Sequence, residues 1–180
     1  MVEMAILGLL QEAPLHGYEL RKQLRARLCG RRWVSYGSLY PTLRRLTTEG
    51  FIVEEPAGPR SRRVYRITEA GKARFARLIS ESGPHAWDDE CFGVHVAFFA
   101  RTPAEARMRI LEGRRRAVEE RRDGLVAALA RAGDKIDRYT RELHRVGLET
   151  SETEVRWLSR LIATEQAEQR AAFGGGEERA

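Results

Sequence analysis

The chain has 180 residues, 42% of them hydrophobic and 32% charged, with a formal net charge of +6. This composition fits a helix-rich globular domain with an appendage, and the unpaired spacing of Cys29 and Cys91 excludes a disulfide scaffold. No apolar run reaches the roughly 18 residues of a membrane span, and there is no basic leader, so a cytoplasmic protein is expected.

Charge is unevenly placed. Residues 1–82 hold 15 Lys/Arg and 8 Asp/Glu, a balance of +7, and residues 83–180 hold 17 and 18, a balance of −1. A basic first half beside a near-neutral second half points to an anionic partner for the first. Arg outnumbers Lys 29 to 3, which carries less weight than the placement of the charge.

Taken in order, Met4 to Glu12 has Ala5, Ile6, Leu9 and Leu10 at helical spacing, and Pro14 closes it. A second helix is expected from Tyr18 to about Leu28, with Leu20, Leu24 and Leu28 inward. Tyr18 is expected to pack in the core and His16 to act as a turn or cap residue. Gly30 breaks this helix. Trp33 follows, either packing ahead of the next helix or lining an effector site.

The third helix is expected over about 38–49. Ser38 is read as its N-cap, Pro41 as a first-turn residue, and Gly50 as its left-handed stop. Leu39, Leu43 and Leu46 share one face, leaving Tyr40, Thr42, Arg44 and Arg45 for the others. Hydroxyls and guanidiniums on a short helix suit a major groove.

Phe51-Ile52-Val53 and Val64-Tyr65-Arg66-Ile67 then read as strands around the turn cluster Pro56–Pro59, with Arg60, Arg62 and Arg63 at or near the tip. Thr68 caps a further helix with Phe75, Leu78 and Ile79 apolar. The sequence of elements is that of a winged helix-turn-helix, mainly α with a two-stranded wing.

The segments Ile6–Leu10, His16-Gly17-Tyr18-Glu19-Leu20, Gly37 to Leu46, Glu49-Gly50-Phe51-Ile52 and Tyr65 to Gly71 resemble the PadR family of bacterial transcriptional regulators, over about residues 4–80. The resemblance implies a repressor-type winged helix that binds palindromic operators as a homodimer. It implies DNA contacts from the third helix and the wing: Ser38, Tyr40, Thr42, Arg44, Arg45, Arg60, Arg62 and Arg63. Tyr40 is the tyrosine of the family's LYP segment, a phosphate or sugar contact.

Gly83-Pro84 marks a boundary, giving a DNA-binding domain over 1–82, a helical dimerisation domain over 83–173 and a disordered tail over 174–180. A helix from Asp88 would put Phe92, Val96 and Phe99 on one face; a strand reading would use Val94, Val96 and Phe98. Thr102-Pro103-Ala104-Glu105 starts a helix that runs to about Ala132, with Leu111, Val118 and Leu125 in a stripe. The last helix is expected over about 134–171, one long helix with Gly147 inside it. Such amphipathic helices need a partner, and the economical one is a second copy.

Catalytic motifs are absent from the sequence, so neither an enzyme nor a resident cofactor is expected. Cys91 and His95, i and i+4 on a helix, could reach one metal beside His85, Asp88, Asp89 and Glu90. Trp33, Phe99 and Trp157 are aromatic candidates for a pocket taking an unidentified small-molecule effector. Two other readings stay open: a winged-helix adaptor that binds proteins without operator specificity, and a regulator that answers to a metal at Cys91/His95.

Overall fold

The computed structural model describes residues 1–28, 36–57, 62–81, 83–132 and 136–174. Its contacts divide the chain into two compact units. The first comprises Met1–Glu81 with Gly93–Pro103, the second Ser82–Phe92 with Ala104–Ala180. The sequence boundary at 82/83 therefore meets a chain that returns to the first unit for one more segment.

In the first unit, helix α1 (Val2–Leu10) is buried on every side, from Met4 through Leu10. It is the centre of the unit, and nearly all its residues are apolar for that reason. Helix α2 (Gly17–Arg27) buries Leu20 and Leu24, and Leu28 just beyond it is buried too. Helix α3 (Tyr36–Thr48) buries Leu39, Leu43 and Leu46. Each such leucine contributes about 2 kcal/mol of burial.

Helix α3 begins two residues earlier than the sequence suggests. Ser38 is therefore inside its first turn and is not its N-cap, and Pro41 lies within the helix. Proline has no N–H to give the Gly37 carbonyl, so one bond of the ladder is missing there. The other end is as expected: Gly50 has φ +74°, and the Phe51 N–H donates to the Leu46 carbonyl at 2.9 Å.

Strands β1 (Leu15–His16), β2 (Ile52–Ala57) and β3 (Arg62–Ile67) form an antiparallel sheet in the order β1-β3-β2. Strand β1 was not anticipated. It pairs Leu15 with Tyr65 and His16 with Val64, fastening the start of α2 to the hairpin. The hairpin register runs from Ile52 opposite Ile67 to Ala57 opposite Arg62. Helix α4 (Glu69–Ser80) is capped by Thr68, whose hydroxyl oxygen accepts from the Gly71 N–H at 3.1 Å.

Helix α5 (Phe92–Ala97) and a 3-10 turn (Phe99–Arg101) follow a 3-10 turn at Pro84–Trp87. Within the first unit, Val94 and Phe98 are the residues that join its core, and Phe98 meets Phe75 edge-on at 5.6 Å. The expected stripe of Phe92, Val96 and Phe99 is corrected accordingly. Gly8 makes room for this: a Cβ there would stand 2.3 Å from the Phe98 ring.

The second unit is built on helices α6 (Ala104–Ala132) and α7 (Arg138–Gly174). They are antiparallel, since Arg107 meets Glu165, Arg114 meets Glu154, and Gly147 lies beside Leu125. Helix α7 is continuous through Gly147, as expected. Arg114, nearly fully buried, donates to Glu154 at 2.7 Å, to Asp89 at 2.6 Å and to the Trp87 carbonyl at 3.2 Å. The expected tail lies outside the described residues apart from Gly174, which ends α7.

Candidate nucleic-acid interface

Burial of the leucine stripe fixes which side of α3 faces outward. Pro41, Arg44, Arg45 and Thr48 are exposed, and Ser38, Tyr40 and Thr42 are half-buried at its margins. The Thr42 hydroxyl donates to the Ser38 carbonyl at 2.7 Å. Its proton is used inside the helix, which leaves Thr42 a methyl group and an acceptor oxygen to present.

The two adjacent arginines differ. Arg45 donates to both oxygens of Glu49, at 2.9 and 2.7 Å, and to Glu3 at 2.6 Å. Glu3 also accepts from Arg74 at 2.7 Å, so α1, α3 and α4 meet at one carboxylate. Burial alone would raise Glu3, but the bonds from Arg74 and Arg45 outweigh it and hold the carboxyl below its ordinary value. Arg44 is exposed and has no ion pair among the described residues.

On the hairpin, Arg63 pairs with Glu54 at 2.7 Å and remains largely in solvent. Arg62 opens β3 opposite Ala57. Arg60 and Trp33 lie outside the described residues.

The structure adds a cleft that sequence reasoning missed. About 580 Å³ in volume, it is lined by His16, Gly17, Tyr18, Glu19, Tyr40, Arg63 and Tyr65. It sits at the N-terminus of α2, where the helix dipole favours an anion. Glu19 accepts from the His16 N–H at 3.0 Å, and His16 Nδ1 lies 3.1 Å from the Arg63 carbonyl, tying helix start to wing. Burial, then the charge of Glu54, pushes the Tyr65 phenol up. Tyr18 is 68% exposed and corrects the expectation of a core residue. Its helical phase held the signal: two residues before Leu20 is about 200° away from the leucine stripe.

Of the aromatic candidates for an effector pocket, Phe99 is half-buried in the first unit. Trp157 is in the second unit, its ring edge-on to Phe92 at 6.1 Å, beside a shallow groove with Glu149, Thr150, Thr153 and Glu154. For the metal reading of Cys91 with His95, Cys91 stands immediately before α5 and His95 lies within it. The imidazole beside the Cys91 sulfur is that of His85, at 3.3 Å. Burial, then Asp88, pushes the Cys91 thiol up to about 12, so it is protonated at neutral pH.

A buried helix carrying two more helices, a capped third helix with a basic outer face, and a hairpin beside it define a winged helix-turn-helix of the nucleic-acid-binding type. Residues 6–77 match the model of the transcriptional regulator PadR-like family. It is a family of transcriptional regulators, not of enzymes.

The transcriptional regulator Rv3488 of Mycobacterium tuberculosis is 43% identical over 67 residues, 36% of this chain and 50% of that protein. The negative transcriptional regulator PadR of Bacillus subtilis is 34% identical over 76 residues, 40% of this chain and 41% of that protein. The chain thus spans about half the length, or less, of the relatives it matches. Bacillus subtilis PadR in complex with operator DNA aligns over 91% of this chain and 98% of that one, at 21% identity and a TM-score of 0.41.

Proposed function

We propose that this chain is a sequence-specific DNA-binding regulator that acts as a homodimer on a palindromic operator. The observation that carries the reading is α3: its leucine face is buried, and Pro41 and Arg44 stand outward on the helix that holds the family's GSLYPTLRRL segment. In this reading α3 enters the major groove. Thr42 and Arg44 reach base edges or groove walls, and Ser38 and Tyr40 lie toward the backbone. Arg45 reaches DNA only by sharing a guanidinium already held by Glu3 and Glu49. The cleft at the start of α2, with Tyr18 and Tyr40, seats a backbone phosphate. Arg60, Arg62 and Arg63 of the wing neutralise phosphates or enter the minor groove.

Residues 1–82 act as the DNA-binding domain and 83–173 as the dimerisation domain. Support for the dimer comes from α7. Tyr139, Leu143 and Val146, at i, i+4 and i+7, are 81%, 70% and 58% exposed. An apolar stripe of this kind is covered most simply by a second copy of itself. Two-fold pairing then sets two recognition helices about 34 Å apart, one turn of duplex.

Repression is the proposed direction of regulation, in line with the negative regulator among its relatives. The proposed effector is a small molecule, and Trp33, Phe99 and Trp157 are separate candidates for an aromatic contact to it. No described helix is long and apolar enough to cross a membrane. The proposed location is the cytoplasm, with the DNA.

A salt-titrated binding assay on the DNA upstream of the chain's own gene tests this. Specific binding should exceed binding to scrambled duplex by about 10³-fold or more. Replacing Arg62 and Arg63 by Ala should weaken binding to all sequences and lower the salt slope by about one unit per lost phosphate contact. Equal affinity for both duplexes would instead support a winged helix that docks on proteins.

A further inference from the structure

We propose that His85, Asp88 and Cys91 form a binding site for a divalent ion of the Zn²⁺ class. The site lies within the second unit.

The three side chains are brought together by local backbone. Residues Pro84–Trp87 make a 3-10 turn, and the chain turns again at once, with the Cys91 N–H donating to the Asp88 side chain at 2.6 Å. His85 Nδ1 lies 2.9 Å from Asp88 Oδ2, and His85 Nε2 lies 3.3 Å from Cys91 Sγ. One ligand atom from each residue falls within 4.8 Å of the others.

Around a tetrahedral Zn²⁺, sulfur at about 2.3 Å and nitrogen at about 2.1 Å stand about 3.6 Å apart. His85 Nδ1, the nitrogen that faces Asp88, lies 3.8 Å from Cys91 Sγ, close to that separation.

The donor set selects the metal class. A thiolate, an imidazole and one carboxylate are borderline-soft ligands suited to Zn²⁺, and Mg²⁺ or Ca²⁺ would want oxygen throughout. Cys91 is buried at the floor, whereas the His85 side chain is 76% exposed and Asp88 is partly exposed. An ion can therefore enter from the His85 side, and a water completes the fourth position. Binding displaces the thiol proton to solvent, leaving the sulfur as thiolate.

The backbone around the site is held from outside. Arg114 bonds the Trp87 carbonyl at 3.2 Å and the Asp89 carboxylate at 2.6 Å. Gly113 lets the Trp87 ring lie against α6, where a Cβ would stand 2.4 Å from it. The turn that carries the ligands is thus fixed on both sides of Asp88, as a metal site requires.

Equilibrium dialysis of the full chain against Zn²⁺ alone should give one ion per chain. With Co²⁺ in its place, the complex should show a thiolate-to-cobalt charge-transfer band and strong tetrahedral ligand-field bands. Cys91→Ser should abolish the charge-transfer band, and Cys29→Ser should keep it. His85→Gln and Asp88→Asn change solvent-facing groups and should weaken binding at least about tenfold with an unaltered far-UV circular dichroism spectrum. The proposal is overturned if the wild-type chain takes up no Zn²⁺, if His85→Gln binds as the wild type does, or if the band follows Cys29.

Discussion

At the scale of single residues, neighbouring arginines have different work. Arg44→Ala should reduce operator affinity by about 1–3 kcal/mol if it makes a bidentate base contact, with the melting temperature unchanged. Arg45→Ala should lower the melting temperature, because it takes away one of the two guanidiniums on Glu3. Thermal melts of both variants beside the binding assay check the pair.

Glu3 itself carries a pH signature. Its depressed carboxyl contributes stability that is present above the unfolded value, about 4.3, and lost as pH falls through the folded value. Glu3→Gln should cost about 1–2 kcal/mol at pH 7 and flatten the acid limb of the stability curve, measured by urea unfolding between pH 3 and 7 as an approximate range. None of this was legible in the sequence. Arg45 and Arg74 are 42 and 71 residues away, and no local spacing announces such a meeting.

At the scale of elements, what was legible followed periodicity and capping. The leucine stripes of α2 and α3, the stop at Gly50 and the Thr68 cap all depend on residues within one or two turns of each other. What was missed depends on distant partners or on too few residues. Strand β1 has only two residues, too few to show an alternation, and exists because β3 offers it an edge. The start of α3 was misplaced because Pro41 pulled the first turn toward itself, although the helix tolerates it further in.

The face of α5 went astray for a third reason. Its neighbours Phe75 and Gly8, which select Phe98, belong to other elements. The end of α3 gives a direct check: Gly50→Ala places a Cβ on a residue at φ +74°, and should cost about 1–2 kcal/mol. Urea unfolding would show a lower midpoint with the slope unchanged.

At the scale of the whole molecule, the division of charge and the helical character of both halves were readable. The return of Gly93–Pro103 to the first unit was not. That segment is tied down by Arg101, which donates to the Gly8 carbonyl at 3.2 Å and pairs with Glu12 at 3.3 Å. The length of α6 and α7 was plain from their sequence, but not that an arginine, Arg114, would be buried among their contacts.

The apolar stripe on α7 supplies the test at this scale. Leu143→Glu with Val146→Glu places two charges on it and should convert the proposed dimer to a monomer in light scattering. Operator affinity should fall by about 10²–10⁴ as the two half-sites cease to be linked. A double variant that remains a dimer of full affinity would move the interface elsewhere.

The Thr68 hydroxyl does more than cap α4. It also donates to the Gly50 carbonyl at 2.7 Å, so the two ends of the hairpin are stitched together at its root, from Gly50 to Thr68. Register is set at that root and carried out to Ala57 opposite Arg62. Doubling the length of a turn costs only about 0.6 kcal/mol. Natural variation can therefore lengthen, shorten or recharge the tip almost without penalty. A lineage of such chains is free to try new ways of gripping DNA while the rest of the molecule stays as it is.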